Sequence, residues 1–249
     1  MQIEDDINKR VTVVIPTKNE EAAIEKVIDE LHSFGFYNIL VVDGFSTDNT
    51  VNLAKKKGAR VINQLGKGKT GALKTAIINI DTPYMIVIDG DYTYDASSIK
   101  ELLKYSNLSA QVIGVRVPTS EKSMSRLHRF GNKVLTLTFN LLMGTKINDV
   151  CSGLYLLHTD IAKRLRFEGS GFDVEAEIAA QVSRISRISE TKVNYRPRLG
   201  KEKLSTWKHG YTILKSIIKL GIKYNPRRFY TLLFIILLAV SSAIYIIFF

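Results

Sequence analysis

Residues 11–43 read VTVVIPTKNEEAAIEKVIDELHSFGFYNILVVD, and this stretch decides the fold class of the chain. It contains two short β-branched runs, at 11–16 and 38–43, on either side of a helical pattern at about 20–31. Both runs are apolar almost throughout, as expected of parallel strands that helices cover on both faces. A strand, a helix and a second strand joined by short connections predict a βαβ unit.

The same alternation continues along the chain as far as residue 89. Helical patterns at 50–57 and 71–80 alternate with strand patterns at 59–63 and 84–89. We therefore predict an α/β fold with a Rossmann-like, mostly parallel sheet and helices on both of its faces. Later strand patterns lie at 111–117, 153–158 and 188–195, and later helical patterns at 99–105 and 174–186.

Composition narrows the class of protein. The chain has 249 residues, 45% of them hydrophobic, which excludes general disorder and suits one large domain with a small appendage. Its single cysteine, Cys151, cannot form an internal disulfide and matches no zinc-binding spacing, so we expect a reducing compartment. A net charge of +11 suits an anionic membrane surface. Nucleic acid is not expected as a partner, because no helix-turn-helix, zinc-finger or RNP-like signature is present.

The C-terminal residues 229–249 form an apolar run. This run, FYTLLFIILLAVSSAIYIIFF, has no charged residue over 21 positions, which matches the ~20 residues that a helix needs to cross a bilayer. The alternative is a buried core helix, which rarely reaches this length without a polar face. The basic residues that precede the run are Lys219, Lys223, Arg227 and Arg228. We therefore predict a single-pass protein of the cell membrane with residues 1–228 in the cytosol. The N-terminal MQIEDDINKR has no apolar stretch and is not expected to be a signal peptide.

The segment before the apolar run is amphipathic. Residues 210–224 read GYTILKSIIKLGIKY, with Lys215, Lys219 and Lys223 at four-residue spacing and an apolar face that comprises Ile213, Leu214, Ile217 and Ile218. This pattern is typical of a helix that lies along a membrane surface, and packing on the globular core is the alternative. We predict three parts: a globular domain at 1–209, an interfacial helix with a basic linker at 210–228, and a transmembrane helix at 229–249. The apolar stretch 134–144 is expected to act as a lid or as a surface that meets lipid.

Polar groups follow three of the predicted strands, at 16–20, 43–48 and 89–91. In an open parallel sheet, ligands bind beyond the carboxyl ends of the strands. The carboxylates of Asp89 and Asp91 suit a divalent cation, which takes hard oxygen ligands and commonly shares substrate phosphates. Asp-x-Asp is common in ordinary turns. Its position after an apolar strand, in a crevice with Asp43, favours the metal site.

Several motifs together resemble a known family. They are VTVVIPTKNEE, VVDGFSTDNT, the loop Gly66–Lys67–Gly68–Lys69–Thr70–Gly71, VIDGDYTYD and RLGKEKLS, and they extend over roughly residues 11–210. They resemble the family-2 glycosyltransferases of the GT-A fold, in the branch of dolichol-phosphate mannose synthase-like polyprenyl-phosphate glycosyltransferases. The resemblance implies an inverting, metal-dependent transfer of a sugar from a nucleotide sugar to a polyprenyl or dolichyl phosphate, in protein glycosylation. GDP-mannose is the first candidate donor, and UDP-glucose or another nucleotide sugar is the alternative.

The resemblance also implies roles for individual residues. Pro16, Thr17 and Glu20 would line the nucleoside pocket, and Asp43 would contact the base or ribose. Asp89 and Asp91 would hold Mg²⁺ or Mn²⁺ on the diphosphate. The sequence departs from the family pattern at three positions, which leaves the base and the third metal ligand open. Lys18 replaces an aromatic residue, Gly44 replaces a second acid, and Thr93 replaces a glutamine that resembles a third ligand.

Basic residues lie on two glycine-containing loops. A P-loop would require glycine at position 63, where the chain has Asn63, so that interpretation fails. Lys69, with Lys67, is expected either near the donor or on a solvated loop. The later loop carries Arg198, Lys201 and Lys203, which are candidates to stabilise the departing diphosphate. A loop that faces lipid is the alternative.

A phosphate acceptor calls for arginine, whose fork donates two parallel hydrogen bonds. Arg116 and Arg129, with Ser125 and His128 nearby, are the candidates. An acceptor phosphate is already an anion at neutral pH, so no strong general base is required. We therefore expect mainly structural or loop-positioning roles for four acids, of which the first two are the better site candidates: Asp149, Asp173, Glu175 and Glu177. A nucleotidyltransferase and a non-catalytic basic binding module are the rival classes, and the oligomeric state is open.

Overall fold

A computed structural model describes residues 7–169, 171, 173–200 and 206–248, with only the backbone at 206–209 and 247–248. Its centre is a seven-stranded sheet in the order β3-β2-β1-β4-β6-β5-β7. Only β6 runs against its neighbours β4 and β5. The strands are β1 Val11–Thr17, β2 Ile39–Asp43, β3 Arg60–Asn63, β4 Tyr84–Val87, β5 Gln111–Pro118, β6 Tyr155–His158 and β7 Ile188–Tyr195. The predicted mostly parallel sheet is confirmed.

Nine labelled helices accompany this sheet in the described part of the chain, after a helical turn at 7–10. They are α1 Ile24–Ser33, α2 Thr50–Lys56, α3 Gly68–Ile78, α4 Ser98–Leu103, α5 Arg126–Met143, α6 Thr159–Ala162, α7 Val174–Ile185, α8 Thr206–Tyr224 and α9 Pro226–Phe248. The first helix begins later than the expected position of about 20. Residues 20–23 form a turn before the helix begins. The N–H of Glu20 in this turn donates to Thr50 Oγ1 at 2.7 Å.

Alternate residues of the strands face opposite sides of the sheet and pack into two cores. Val13 and Ile15 of β1 join Ile28 of α1 in the first core, whereas Val14 joins Leu73 of α3 in the second. The predicted helices on both faces are therefore present. Burial on both faces explains why the central strands β1, β2 and β4 are apolar almost throughout.

A third core forms where α5, α7 and α8 meet. Phe139 of α5 and Ile217 of α8 are fully buried in it. The stretch 134–144, expected to be a lid or a lipid surface, is therefore part of a helix with one face in this core. Its opposite face leaves Leu137 and Leu141 exposed.

The structure corrects the interpretation of residues 210–224. The predicted helix exists, but Ile217 and Leu220 are buried and Ile213 and Leu214 pack beside them. This apolar face is thus used mainly against the globular domain. Ile218 and Ile222, at the flank of this face, remain exposed.

The last helix, α9, is long and apolar enough over Pro226–Ile246 to cross a membrane, and none of that window is buried. Its first turns contact the domain. Arg228 Nε donates to the carbonyl of Leu141 at 2.6 Å, and Phe229 and Leu232 pack against the third core. The predicted transmembrane helix agrees with this length and composition.

Candidate active site

The loops that follow β1 and β2 are tied together at the carboxyl edge of the sheet. Thr17 and Asp43 are paired in register, and the N–H of Gly44 donates to the carbonyl of Thr17 at 2.7 Å. The buried Asp43 carboxylate accepts bonds from the Ser46 N–H and hydroxyl, at 2.9 and 2.5 Å. Ser46 Oγ in turn accepts from the N–H of Asn19 at 2.8 Å. Asp43 therefore shapes the turn in which a nucleoside contact was predicted for it.

Asp89 and Asp91 follow β4 at the same edge. Burial first, and then the negative charge of Asp89, raise the pKa of Asp91 above its ordinary value. The Thr93 hydroxyl donates to Asp91 Oδ1 at 2.6 Å and opposes that rise. The two carboxylates thus lie close enough to repel each other, and Thr93 orients one of them.

Lys69, at the start of α3, is shared between two carboxylates. Its Nζ lies 2.5 Å from Asp89 Oδ1 and 2.6 Å from Glu175 Oε1. Burial would lower the pKa of Lys69, but the charges of Asp89 and Glu175 outweigh it and hold that pKa well above the ordinary value. Lys69 is therefore largely buried beside the candidate metal ligands, which does not match the alternative of a solvated loop.

Arg198 is shared in the same way on the other side of the aspartate pair. Its Nη1 lies 2.5 Å from Asp91 Oδ2, and its Nη2 donates to both carboxylate oxygens of Glu20, at 2.6 and 2.7 Å. The N–H of Leu199 also donates to the carbonyl of Asp91 at 3.1 Å. Lys201 and Lys203 lie outside the described residues.

The segment that carries Arg198 is held in place by Arg196, two residues before it. Arg196 donates to Glu30, with Nη1 and Nη2 bonds of 3.0 and 2.6 Å, and lies 4.7 Å from the ring centre of Tyr92. Its N–H also donates to the carbonyl of Thr93 at 2.7 Å. The chain after β7 therefore runs along the loop that follows β4, which positions Arg198.

The predicted nucleoside residues of β1 divide into two groups. Glu20 faces Arg198, whereas Pro16 is half-buried and Thr17 is buried. Thr17 Oγ1 finds no hydrogen-bond partner among the described residues. Because buried hydroxyls are normally hydrogen-bonded, Thr17 is suited to contact a ligand at this edge.

The carboxylates of Asp89 and Asp91 fit a divalent cation whose other ligands come from the substrate and water. Asp89 and Asp91 supply hard oxygen atoms. Within the described ranges, no cluster of three or more His, Cys, Asp or Glu side chains suited to a metal occurs. Gly153 leaves room for the Asp89 carboxylate, since a Cβ at residue 153 would lie only 2.0 Å from Asp89 Oδ2. The remaining positions would belong to a diphosphate and water.

Arg116 differs from its expected role as an open phosphate ligand. Its Nε donates to Asp149 Oδ2 and its Nη2 to Asp149 Oδ1, both at 2.7 Å. Nη2 also donates to Asn132 Oδ1 at 3.2 Å. Both charged side chains are buried, 6% and 4% exposed. Arg129 lies on α5 one turn before Asn132, is half-buried and has no side-chain partner in the described part of the chain. Arg129 is therefore better placed to accept a phosphate without breaking an existing pair.

The four acids that were read as mainly structural have different surroundings. Asp173 accepts from Ser216 at 2.6 Å, and Glu177 accepts from the N–H of Glu168 at 2.7 Å, so both position neighbouring segments. Glu175, by contrast, touches Lys69 inside the site. The sequence signal for Glu175 was weak, because its partners Lys69 and Asp89 precede it by many residues.

Comparisons with known proteins identify the family of the chain. Residues 12–166 match the model of glycosyl transferase family 2. The dolichyl-phosphate hexose transferase of Haloferax volcanii is 32% identical over 221 residues, which cover 87% of this chain and 96% of the relative. The glycosyltransferase AglJ of the same organism is 33% identical over 192 residues, 76% of this chain, and the match spans 63% of the length of AglJ.

A solved structure supports the fold. The complex of glucosyl-3-phosphoglycerate synthase from Mycobacterium tuberculosis with Mg²⁺ and UDP superposes with a TM-score of 0.69 at 20% identity. The alignment covers 90% of this chain and 82% of that chain. The predicted GT-A-like fold is confirmed.

Proposed function

We propose that this chain, which belongs to glycosyl transferase family 2, transfers a hexose from a nucleotide sugar to a polyprenyl or dolichyl phosphate. The name of the Haloferax dolichyl-phosphate hexose transferase supports this acceptor and a hexose as the transferred group. GDP-mannose is our first candidate donor. UDP-glucose is the second, since the solved synthase with a similar fold binds UDP.

One observation carries the proposal. Asp89 and Asp91 lie together at the carboxyl edge of the sheet, each in contact with a cation, Lys69 or Arg198. A nucleotide sugar presents a diphosphate, and cations aimed at its developing charge stabilise the departure of that group. Mg²⁺ or Mn²⁺ on Asp89 and Asp91 would supply Lewis-acid stabilisation of the same charge when bound.

The reaction needs little proton transfer. An oxygen of the acceptor phosphate forms the new bond to the anomeric carbon, while the bond from that carbon to the diphosphate oxygen breaks. The bonding electrons leave with the nucleoside diphosphate. Attack opposite the leaving group inverts the anomeric centre, and Lys69 and Arg198 stabilise the diphosphate as it departs.

Arg129 is the residue we assign to the acceptor phosphate, with Arg116 as the group that positions it through α5. Arg116 and Asp149 hold Asn132 by hydrogen bonds of 3.2 and 2.9 Å. This contact fixes the helix turn next to Arg129. The phosphate of the lipid would then meet the sugar between α5 and the aspartate pair.

We also propose a location. The helix α9 would cross the cell membrane once, with residues 1–228 in the cytosol, because basic residues precede its apolar run. A polyprenyl phosphate has its reactive head at the membrane surface. An anchored domain would therefore meet its acceptor by diffusion in the plane of the bilayer.

The test is a screen of radiolabelled nucleotide sugars with a polyprenyl phosphate in detergent or vesicles. We expect label to move into the lipid phase with Mg²⁺ or Mn²⁺ present, with release of a nucleoside diphosphate. Release of pyrophosphate would instead identify a nucleotidyltransferase. Lipid binding without any transfer, unaffected by Asp89→Asn, would identify a basic binding module.

A further inference from the structure

Lys69 occupies the position at which a cation would meet Asp89. Its ammonium lies 2.5 Å from Asp89 Oδ1, a distance at which a divalent cation on the same carboxylate would be strongly repelled. Lys69 and a metal ion thus compete for Asp89. The outcome depends on what else holds Lys69.

Glu175 holds Lys69 independently of Asp89. It belongs to α7, on a different element from Asp89, and its carboxylate lies 2.6 Å from the Lys69 ammonium. Glu175 is 8% exposed and Lys69 12%, whereas Asp89 is 31% exposed. Glu175 is therefore shielded from solvent, whereas Asp89 is accessible to a ligand.

We propose that Glu175 is a positioning residue that retains Lys69 beside Asp89 when a divalent cation takes that carboxylate. Lys69 then weakens cation binding in the nucleotide-free protein. A diphosphate removes this penalty because it neutralises Lys69, so the cation and the nucleotide bind cooperatively. This inference rests on the proposed function and deepens it, since it assigns the coupling between donor and cation to one lysine and its buried partner.

Mn²⁺ binding to the full chain in detergent, without nucleotide, tests the competition. Electron paramagnetic resonance of the free ion measures the affinity. Lys69→Met should bind Mn²⁺ roughly tenfold more tightly or better, because a positive charge in contact with the ligand is removed. The matched control is Lys74→Met, an exposed lysine of the same helix, which should leave the affinity unchanged. An unchanged or weaker affinity in Lys69→Met would overturn the proposal.

A double-mutant cycle tests Glu175. In the wild type, Glu175→Gln should weaken Mn²⁺ binding, since Lys69 is then left with Asp89 alone. In the Lys69→Met background the same change should have a smaller effect, because only a distant charge is lost. The double variant also avoids a lone buried carboxylate and so guards against misfolding of the single variant. Equal effects in both backgrounds would assign Glu175 a purely structural or long-range role.

The final measurement is the coupling itself. Saturating UDP or GDP, in separate titrations corrected for Mn²⁺ that the nucleotide binds in solution, should tighten Mn²⁺ binding in the wild type. Lys69→Met should lose the part of that gain that comes from neutralising Lys69, so its gain should be smaller than that of the wild type. Wild-type protein that binds no Mn²⁺ even with saturating UDP or GDP would overturn both this inference and the metal dependence of the proposed function. Mn²⁺ binding that is indifferent to Lys69 would overturn the inference alone.

Discussion

The carboxylates of Asp89 and Asp91 are the residues on which transfer should depend most. Asp89→Asn and Asp91→Asn should each lower the transfer rate by roughly 100-fold or more, since charge stabilisation by a bound cation is worth several kcal/mol. The fold should persist, because Lys69 and Arg198 keep Glu175 and Glu20 as partners. Radiolabel transfer and thermal unfolding are the measurements. Full activity of Asp91→Asn in metal-free buffer would contradict the assignment.

The matched control for these variants is Asp81→Asn. Asp81 is fully exposed, and its carboxylate lies 3.6 Å from the Lys163 ammonium. It precedes β4 and therefore lies at the opposite end of that strand from the site. Transfer by this variant should equal that of the wild type.

The two predicted acceptor arginines should behave differently. Arg129→Ala should raise the KM for the lipid phosphate about tenfold without changing the KM for the nucleotide sugar, since a charge-assisted hydrogen bond contributes ~1.5–3 kcal/mol. Arg116→Ala leaves the buried Asp149 carboxylate unpaired and should cost ~3–5 kcal/mol of unfolding free energy. Two-substrate kinetics and denaturant unfolding separate the effects. A selective rise in donor KM for Arg129→Ala would move Arg129 to the other substrate.

At the scale of whole elements, α8 distinguishes core packing from membrane contact. Ile217→Ala should lower the free energy of unfolding by ~2–5 kcal/mol, because a buried side chain leaves a cavity. Ile218→Ala, next to it but 38% exposed, should change that free energy by about 0.5 kcal/mol or less. Denaturant midpoints of the full chain in mild detergent give the comparison. Equal small effects would restore the interfacial interpretation of α8.

The same helix shows what sequence patterns could and could not predict. The apolar spacing in 210–224 predicted a helix correctly, because periodicity is a local property. It did not say whether lipid or α5 covers the apolar face. The strands β1, β2 and β4 were predictable for a complementary reason, since they are buried on both faces and each is therefore a short apolar run in the sequence.

The site was predictable only where it follows strand ends. Asp89 and Asp91 come directly after β4, and the topology of a parallel sheet brings such residues together. The pairs Lys69–Glu175 and Arg116–Asp149 join residues far apart in the chain, and neither pair leaves a spacing that a single sequence reveals. The buried ion pair between Arg116 and Asp149 therefore became apparent only in the three-dimensional structure.

For the whole molecule, the junction of α9 with the domain sets where the chain can be cut. Removal of residues 233–249 keeps Phe229 and Leu232 in the third core. The truncated protein should fold and bind nucleotide, and should sediment weakly with anionic vesicles in a salt-dependent manner, since charges are screened within about 8 Å at physiological ionic strength. It should transfer sugar better to a short soluble acceptor than to a long polyprenyl phosphate.

The control is a deeper cut that removes residues 226–249. It also deletes the bond from Arg228 to Leu141 and the two apolar contacts, and so should lower the unfolding temperature. Loss of nucleotide binding after the shallower cut would make α9 a part of the folded core and contradict its role as an anchor.

The position of β6 in the sheet, between β4 and β5, has a consequence for protein synthesis. Because β6 lies between β4 and β5, the edge of β4 has no neighbour on that side until the ribosome has added residue 158. The loops that follow β1, β2 and β4 are translated earlier, whereas Gly153, which makes room for Asp89, emerges only with β6. Each nascent chain therefore passes through a stage that has the loops of the candidate site but a β4 edge without a neighbour. An unpaired strand edge is a feature by which sheets aggregate. Chaperone demand during translation should be concentrated in that interval.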